Sequence, residues 1–283
     1  MVVSPAVTAD VDRMLGDIAG YGRTLVAFSG GVDSSVVVAA AARALGRERV
    51  IAVTAVSPAV PAAEVEFAGE FCASLGVEHR MLRTDEMAVA GYRENGPTRC
   101  YFCKSTLLDT AAALAEHEHF DSIAVGTNAS DLAAGFRPGI RAAAERGVRT
   151  PLADAGLDKA AVREVAREWS LNTWDKPAAA CLSSRIAYGL TITPARLSRV
   201  EEAERELRRV LTPHGVRDLR VRDLGDSVRV EVDGRLVGQA RTDEEVRRTV
   251  ERAGFGSTPM VVEPFKSGSM NDMLADPDRW RHA

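Results

Sequence analysis

The sequence predicts an α/β protein, with a doubly wound parallel sheet over residues 1–190 and a smaller C-terminal α+β domain over residues 191–283. Three observations carry this. Short apolar runs at 25–28, 50–56 and 122–126, with a third strand read at His79-Arg-Met-Leu-Arg, alternate with stretches of helical period, the order that builds a parallel sheet through crossover helices. A Ser/Gly turn lies between the first run and its helix, at the strand edge where such sheets hold ligands. Past residue 190 the pattern becomes strict apolar and charged alternation about a tight turn, which marks a hairpin.

Taken in order, residues 8–20 read as a helix entered at Thr8, with Met14, Leu15 and Ile18 on one side. Residues 50–56 are almost continuously apolar, as in a strand covered on both faces, and Pro58 and Pro61 mark the exit. A helix over 62–75 ends at Gly76. Its Val65, Phe71, Cys72 and Leu75 recur on one face, so Cys72 reads as core. Residues 79–83 form a third strand, 92–99 a polar linker and 104–116 a helix. The fourth strand, 122–126, runs into Gly126-Thr127-Asn128. Residues 135–151 are loop-rich and cationic, and 158–169 are helical. The Tyr188-Gly189 turn sets the domain boundary near 190.

In the second domain, 194–211 and 243–253 are helical and 260–262 is a last strand. Residues 219–222 and 228–232 make the hairpin about Gly225-Asp226. Arg220, Arg222 and Arg229 share its charged face. Such alternation usually means a solvated surface, and three guanidiniums pointing one way also suit a dianionic phosphate or carboxylates.

Composition narrows the function classes. A chain of 283 residues with 46% hydrophobic and 27% charged residues has enough apolar material for a full core. The N-terminus carries Asp10 and Asp12 and no basic run, and the longest Ala/Val stretch, 36–42, stops at Arg43. Neither pattern suits a signal peptide or a membrane span, so a cytoplasmic protein is expected. A net charge of −4 offers no general attraction for nucleic acid, which disfavours a tRNA substrate. Four cysteines in a chain of this size do not form a disulfide framework.

Residues 24–38 carry the clearest chemistry. Gly30 and Gly31 let the backbone turn sharply and bring its N–H groups close to an anion, and Asp33, Ser34 and Ser35 open the next helix. Unpaired N–H groups and partial positive charge at that helix start favour phosphate, with the Ser29, Ser34 and Ser35 hydroxyls as further donors. The stretch lacks the Lys-Ser/Thr ending of a Walker loop and the G-x-G-x-x-G spacing of dinucleotide folds. Its Ser-Gly-Gly-Val-Asp-Ser tract resembles the signature of the PP-loop ATP pyrophosphatases. The resemblance implies cleavage of ATP between its α and β phosphates, transfer of AMP to an acceptor, Gly126 and Thr127 at the nucleotide, and Mg²⁺ partnered by Asp33.

Cys100 and Cys103 stand three residues apart at the end of a loop and the start of a helix. Alone, that spacing fits half a zinc site, a redox dithiol or two ligands of an iron–sulfur cluster. No second C-x-x-C exists, so a four-cysteine zinc site is excluded. Cys181 follows Lys176-Pro-Ala-Ala-Ala and precedes Arg185, and nearby cations favour a nucleophilic thiolate. That segment, with Gly126-Thr-Asn, Arg137-Pro-Gly-Ile-Arg, Arg220-Val-Arg-Asp-Leu-Gly-Asp and Ser267-Gly-Ser, resembles the LarE family of ATP-dependent sulfur transferases over about residues 10–273.

The family resemblance implies a pyridinium-3,5-dicarboxylate mononucleotide substrate, bound by Arg185, Arg220, Arg222 and Arg229, whose carboxylates become thiocarboxylates for a nickel-pincer cofactor. It implies a homohexamer. It also implies that sulfur comes either from Cys181 itself or by way of a [4Fe–4S] cluster on Cys100, Cys103 and Cys181, with the cluster preferred. A tRNA thiolase, a PP-loop synthetase making NAD or GMP and a non-catalytic nucleotide-binding module are the competing readings.

Overall fold

Three of the four strands of the first unit form from apolar runs that are largely buried, and the fourth, Glu78–Arg83, is an edge strand with no buried residue. A computed structural model describes residues 4–134, 137–177 and 180–266. The Ser267-Gly-Ser tail lies outside the described residues. The first unit comprises residues 1–86 and 100–179. In it β1 (Thr24–Ala27), β2 (Val50–Val56), β3 (Glu78–Arg83) and β4 (Ser122–Val125) make one sheet in the order β3-β2-β1-β4, and every pair is parallel.

Successive strand residues point to opposite faces, and each face has its own helices. Helix α1 (Pro5–Ala19), α2 (Val32–Leu45) and α3 (Ala62–Leu75) share a core with Val26, Phe28, Ala52 and Ala124. After the short α4 (Ala90–Arg93), the long α5 (Arg99–Glu118) covers the other face, its Leu108 and Ala115 packing on Ala27, Val125, Leu25 and Val53. Four shorter helices follow: α6 (Ala129–Ala133), α7 (Pro138–Ala144), α8 (Pro151–Asp154) and α9 (Lys159–Glu168). Val36, Val37 and Val38 of α2 are wholly buried, each worth about 1.5–3 kcal/mol of apolar burial. The signature helix is thereby anchored along its length.

The doubly wound sheet is as expected, while several boundaries differ. α1 begins three residues before Thr8, because Ser4 caps it through Val7 N–H and Pro5 suits a first helical position. α5 begins at Arg99, so Cys100 and Cys103 both lie in its first turn. Part of the loop-rich stretch 135–151 is the helix α7.

The division of the chain also differs from a single boundary at 190. The second unit comprises residues 87–99 and 180–283. Asn95, buried and at φ 55°, donates its amide to the carbonyls of Ile186, Ala187 and Leu190. Arg99 donates to Asn95 and to the Ser183 carbonyl. The bonds from Asn95 and Arg99 to residues 183–190 span 84 to 95 residues, beyond the reach of a local pattern.

Around that knot, α10 (Pro194–Leu211) packs on a sheet of order β5-β6-β7, with β5 (Leu219–Asp223) antiparallel to β6 (Val228–Val232) and β6 parallel to β7 (Met260–Pro264). The expected helix 243–253 is present as α12 (Glu244–Val250), capped by Asp243 and continued by a wider turn through Phe255, and a further short helix, α11 (Val237–Thr242), precedes it. Among the described residues no helix is long and apolar enough to cross a membrane.

Candidate active site

The turn between β1 and α2 is built to expose amides. Gly30 sits at φ 72°, a conformation that favours glycine, and Gly31 caps α2 without a side-chain cap. The N–H groups of Gly30, Gly31, Val32, Asp33 and Ser34 have no acceptor among the described residues. A Cβ built on Gly31 would meet only Ser29 Oγ, at 3.5 Å, so the protein itself leaves room there. Consecutive free amides at the head of a buried helix form a concave anion site.

The serines divide by role. Ser34 and Ser35 both donate their hydroxyls to the Gly31 carbonyl, at 3.1 and 2.9 Å, and Ser35 is wholly buried. Both therefore shape the turn. Ser29 lies 3.2 Å from Ser34 Oγ, with its own hydroxyl at the mouth of the turn.

Asp33 accepts from Asn128 Nδ2 at 3.0 Å and from Lys159 Nζ at 2.5 Å. This pairing keeps a carboxylate at the phosphate end of α2, and one carboxylate beside phosphate oxygens is how Mg²⁺ is usually held. Gly126 has a steric reason to be glycine, since a Cβ there would fall 2.6 Å from Ser34 N and 2.9 Å from the Asp33 carbonyl carbon. It lets the β4 exit lie directly against the signature turn. Thr127, half-buried beside it, accepts Ala153 N–H at its carbonyl. At the β2 exit, the Ser57 hydroxyl donates to the buried Glu86 carboxylate.

The cysteines have different settings. Cys72 is core as expected, with burial pushing its thiol up to about 12. Cys100 is exposed and Cys103 half-buried. Their i, i+3 spacing on α5 puts both thiols on one side of the helix, where two ligands of a cluster would fit. Among the described residues no set of three or more His, Cys, Asp and Glu side chains is grouped as for a metal.

Cys181 is half-buried at the head of a short turn. Its carbonyl accepts from Ser184 N–H and Oγ, at 3.0 and 2.7 Å, and from Arg185 Nη1 at 2.9 Å. Lys176, expected near the thiol, has its ammonium on the Gly30 carbonyl and Glu64.

The hairpin corrects the solvated-surface reading. Its alternation is as expected, with Leu219, Val221, Val228, Val230 and Val232 on one face, but the charged face is also covered. Arg220 is 7% exposed, Arg222 5% and Glu231 1%. Arg222 Nη2 pairs with Glu231 at 2.8 Å, and Arg185 grips Glu204 through Nε and Nη2 at 2.9 and 3.2 Å. Arg229 is less buried, and its Nε is 3.2 Å from Glu263. Burial, then the neighbouring Arg185 charge, pushes the Arg220 guanidinium down to about 10. Lys159, Glu64, Glu204 and Glu231 were not singled out by the sequence, because each partner lies on another element. Only the Asp158 cap before Lys159 gave a local signal.

An amide-lined turn between a central parallel strand and its helix, with a carboxylate in place of the Walker lysine, defines the class. The chain is a PP-loop ATP pyrophosphatase. The profile of the family described as NAD synthase matches residues 16–136, the part holding this turn. An uncharacterised protein of Synechocystis sp. is 40% identical over 89% of this chain and 93% of its own length. The pyridinium-3,5-bisthiocarboxylic acid mononucleotide synthase of Lactiplantibacillus plantarum is 32% identical over 89% of this chain and 90% of that protein. An uncharacterised protein of Methanocaldococcus jannaschii is 29% identical over 62% and 66%. The chain belongs to the LarE family, ATP-using and AMP-forming sulfur-transfer enzymes.

Proposed function

We propose that the protein adenylates the carboxylates of pyridinium-3,5-dicarboxylate mononucleotide and exchanges carboxylate oxygen for sulfur, yielding thiocarboxylates for a nickel-pincer cofactor. The observation that carries this is near full-length similarity to the Lactiplantibacillus plantarum synthase, whose name states the dithio product. A substrate carboxylate oxygen attacks the α phosphorus of ATP and pyrophosphate leaves, giving an acyl adenylate. The amides of residues 30–34 hold the departing charge, and Asp33 is the residue that would hold Mg²⁺, which would neutralise the pyrophosphate oxygens.

The Cys181 thiolate then attacks the acyl carbon and AMP departs, leaving a thioester. Removal of the Cys181 Cα proton breaks its Cβ–S bond, the electron pair stays on sulfur, and the thiocarboxylate leaves behind dehydroalanine. A [4Fe–4S] cluster on Cys100, Cys103 and Cys181 would instead supply renewable sulfide, and we favour that form because the chain carries the Cys100/Cys103 pair. Arg220, Arg222 and Arg229 bind the substrate phosphate or carboxylates, with Arg185 supporting the Cys181 segment. Homohexamer assembly and cytoplasmic residence complete the reading.

Anaerobic assay of Cys181→Ser tests it: AMP and pyrophosphate still form, and thiocarboxylate does not. Thiocarboxylate at the wild-type rate in that variant would remove Cys181 from the chemistry. Cys100→Ser and Cys103→Ser separate the sulfur sources. Loss of iron, sulfide and multiple turnover supports the cluster, whereas an unaffected single turnover with dehydroalanine at 181 supports sacrifice.

A further inference from the structure

Lys176 has no place in the chemistry above, yet it sits on the phosphate turn. Its ammonium donates to the Gly30 carbonyl at 3.0 Å and to Glu64 Oε2 at 2.7 Å, and lies 3.6 Å from the centre of the Phe67 ring. A lysine ammonium has three donors. Two go to these oxygens, and the third direction is met by the aromatic face. The cation is committed to protein groups.

Its own backbone is held as firmly. Lys176 N–H donates to the Thr173 carbonyl at 3.1 Å, and Arg163 donates to the carbonyls of Trp174 and Lys176 at 2.6 and 3.1 Å. Glu64, on the first turn of α3, is the only one of the three partners that carries charge.

The carbonyl that Lys176 holds belongs to the peptide joining Gly30 and Gly31. A trans peptide is planar, so its C=O and N–H point in opposite directions. Fixing the Gly30 oxygen therefore fixes the Gly31 N–H, one of the amides with no acceptor among the described residues. A cation on the oxygen also polarises the peptide and strengthens that N–H as a donor. Two consecutive glycines, one at φ 72°, would otherwise leave this peptide free to rotate.

We propose that Lys176, held by Glu64, is a positioning residue that fixes the Gly30–Gly31 peptide with its N–H directed toward the pyrophosphate group, and is not itself a phosphate ligand. The inference rests on the ATP-pyrophosphatase class and not on the identity of the acceptor. Calorimetric binding of inorganic pyrophosphate with Mg²⁺ to the full chain is the readout.

Glu64→Ala gives the decisive sign. Deleting a negative charge beside an anion site strengthens anion binding if only charge matters, or if freed Lys176 turns to the phosphate. If Glu64 holds the lysine that sets the peptide, the same change weakens binding. We expect weakening of about threefold to tenfold in Glu64→Ala and Lys176→Met, part of one charge-assisted hydrogen bond. Lys176→Arg, which still donates to both oxygens, should stay closer to the wild type. Melting curves confirm that each variant is folded, and the sign of the Glu64→Ala effect is independent of small losses in stability. Unchanged or tighter binding in Glu64→Ala would overturn the proposal. A wild type that binds no pyrophosphate would overturn it together with the amide site.

Discussion

The signature turn and the β5–β6 hairpin both read as phosphate binders in sequence, and they fold into opposite kinds of site. At the turn, charge attraction comes from backbone amides left without acceptors among the described residues, and the charged side chains beside them, Asp33 with Lys159 and Lys176 with Glu64, are paired with one another. At the hairpin it comes from guanidiniums that arrive with carboxylate partners, Glu231 for Arg222 and Glu204 beside Arg220 and Arg185. A free amide costs little until a ligand comes, because it is fixed by the helix behind it. A buried guanidinium must be paired for the protein to fold at all. Substitutions at the turn should therefore change catalysis and leave stability alone, and those at the hairpin should change stability first.

The largest effect is expected at Gly31. Gly31→Val fills space that only Ser29 borders, so the melting temperature should stay near that of the wild type while AMP formation is lost. Removing one preorganised donor typically costs about 10²–10³ in rate, and a blocked turn removes several. A folded Gly31→Val enzyme with normal AMP release would break the comparison on its first side.

Arg222→Ala comes next and probes the other side. It takes from Glu231, 1% exposed, the guanidinium that pairs with it at 2.8 Å, at a cost of about 3–5 kcal/mol in denaturant unfolding. Replacing both partners, Arg222→Met with Glu231→Leu, should recover most of that loss. If substrate binding fails in the recovered double variant, Arg222 serves both stability and substrate. Arg229→Ala is milder, since its nearer partner Glu263 is about half exposed and its contact with the buried Glu231 is long, at 3.9 Å, and about 1 kcal/mol is expected.

The smallest effect lies behind the turn. His79 Nε2 is 2.8 Å from Thr54 Oγ1, which donates to the Phe28 carbonyl just before Ser29. Burial holds the His79 imidazole below its ordinary 6.5. A lowered histidine value means the unfolded chain binds more protons as pH falls through 6.5, so stability is full above that pH and declines below it. His79→Gln should flatten this decline in melts between neutral and mildly acidic pH. An unchanged slope would free the relay from any part in it.

What was legible follows the same division. The span 62–75 was readable because Pro61 and Gly76 bound one helix and its apolar spacing is regular. The signature turn was readable because a backbone device is written in consecutive residues. Hairpin alternation was readable too, but its burial was not, since α10 and Glu204 cover it from elsewhere in the chain. Lys159 meets Asp33 across 126 residues and Lys176 meets Glu64 across 112, and neither pairing has a local pattern. Residues 92–99 read as linker because their anchor, Asn95, is one buried amide with partners past residue 185.

The central claim is that ATP cleavage at the turn drives sulfur onto a carboxylate. Full-length protein, prepared anaerobically, would be incubated with Mg²⁺, ATP and pyridinium-3,5-dicarboxylate mononucleotide, and AMP and substrate mass followed together. The account predicts one AMP for each oxygen replaced by sulfur, both dependent on the pyridinium substrate. AMP released at the same rate without that substrate, or substrate-dependent AMP with no sulfur gained by an enzyme retaining Cys181, would contradict it.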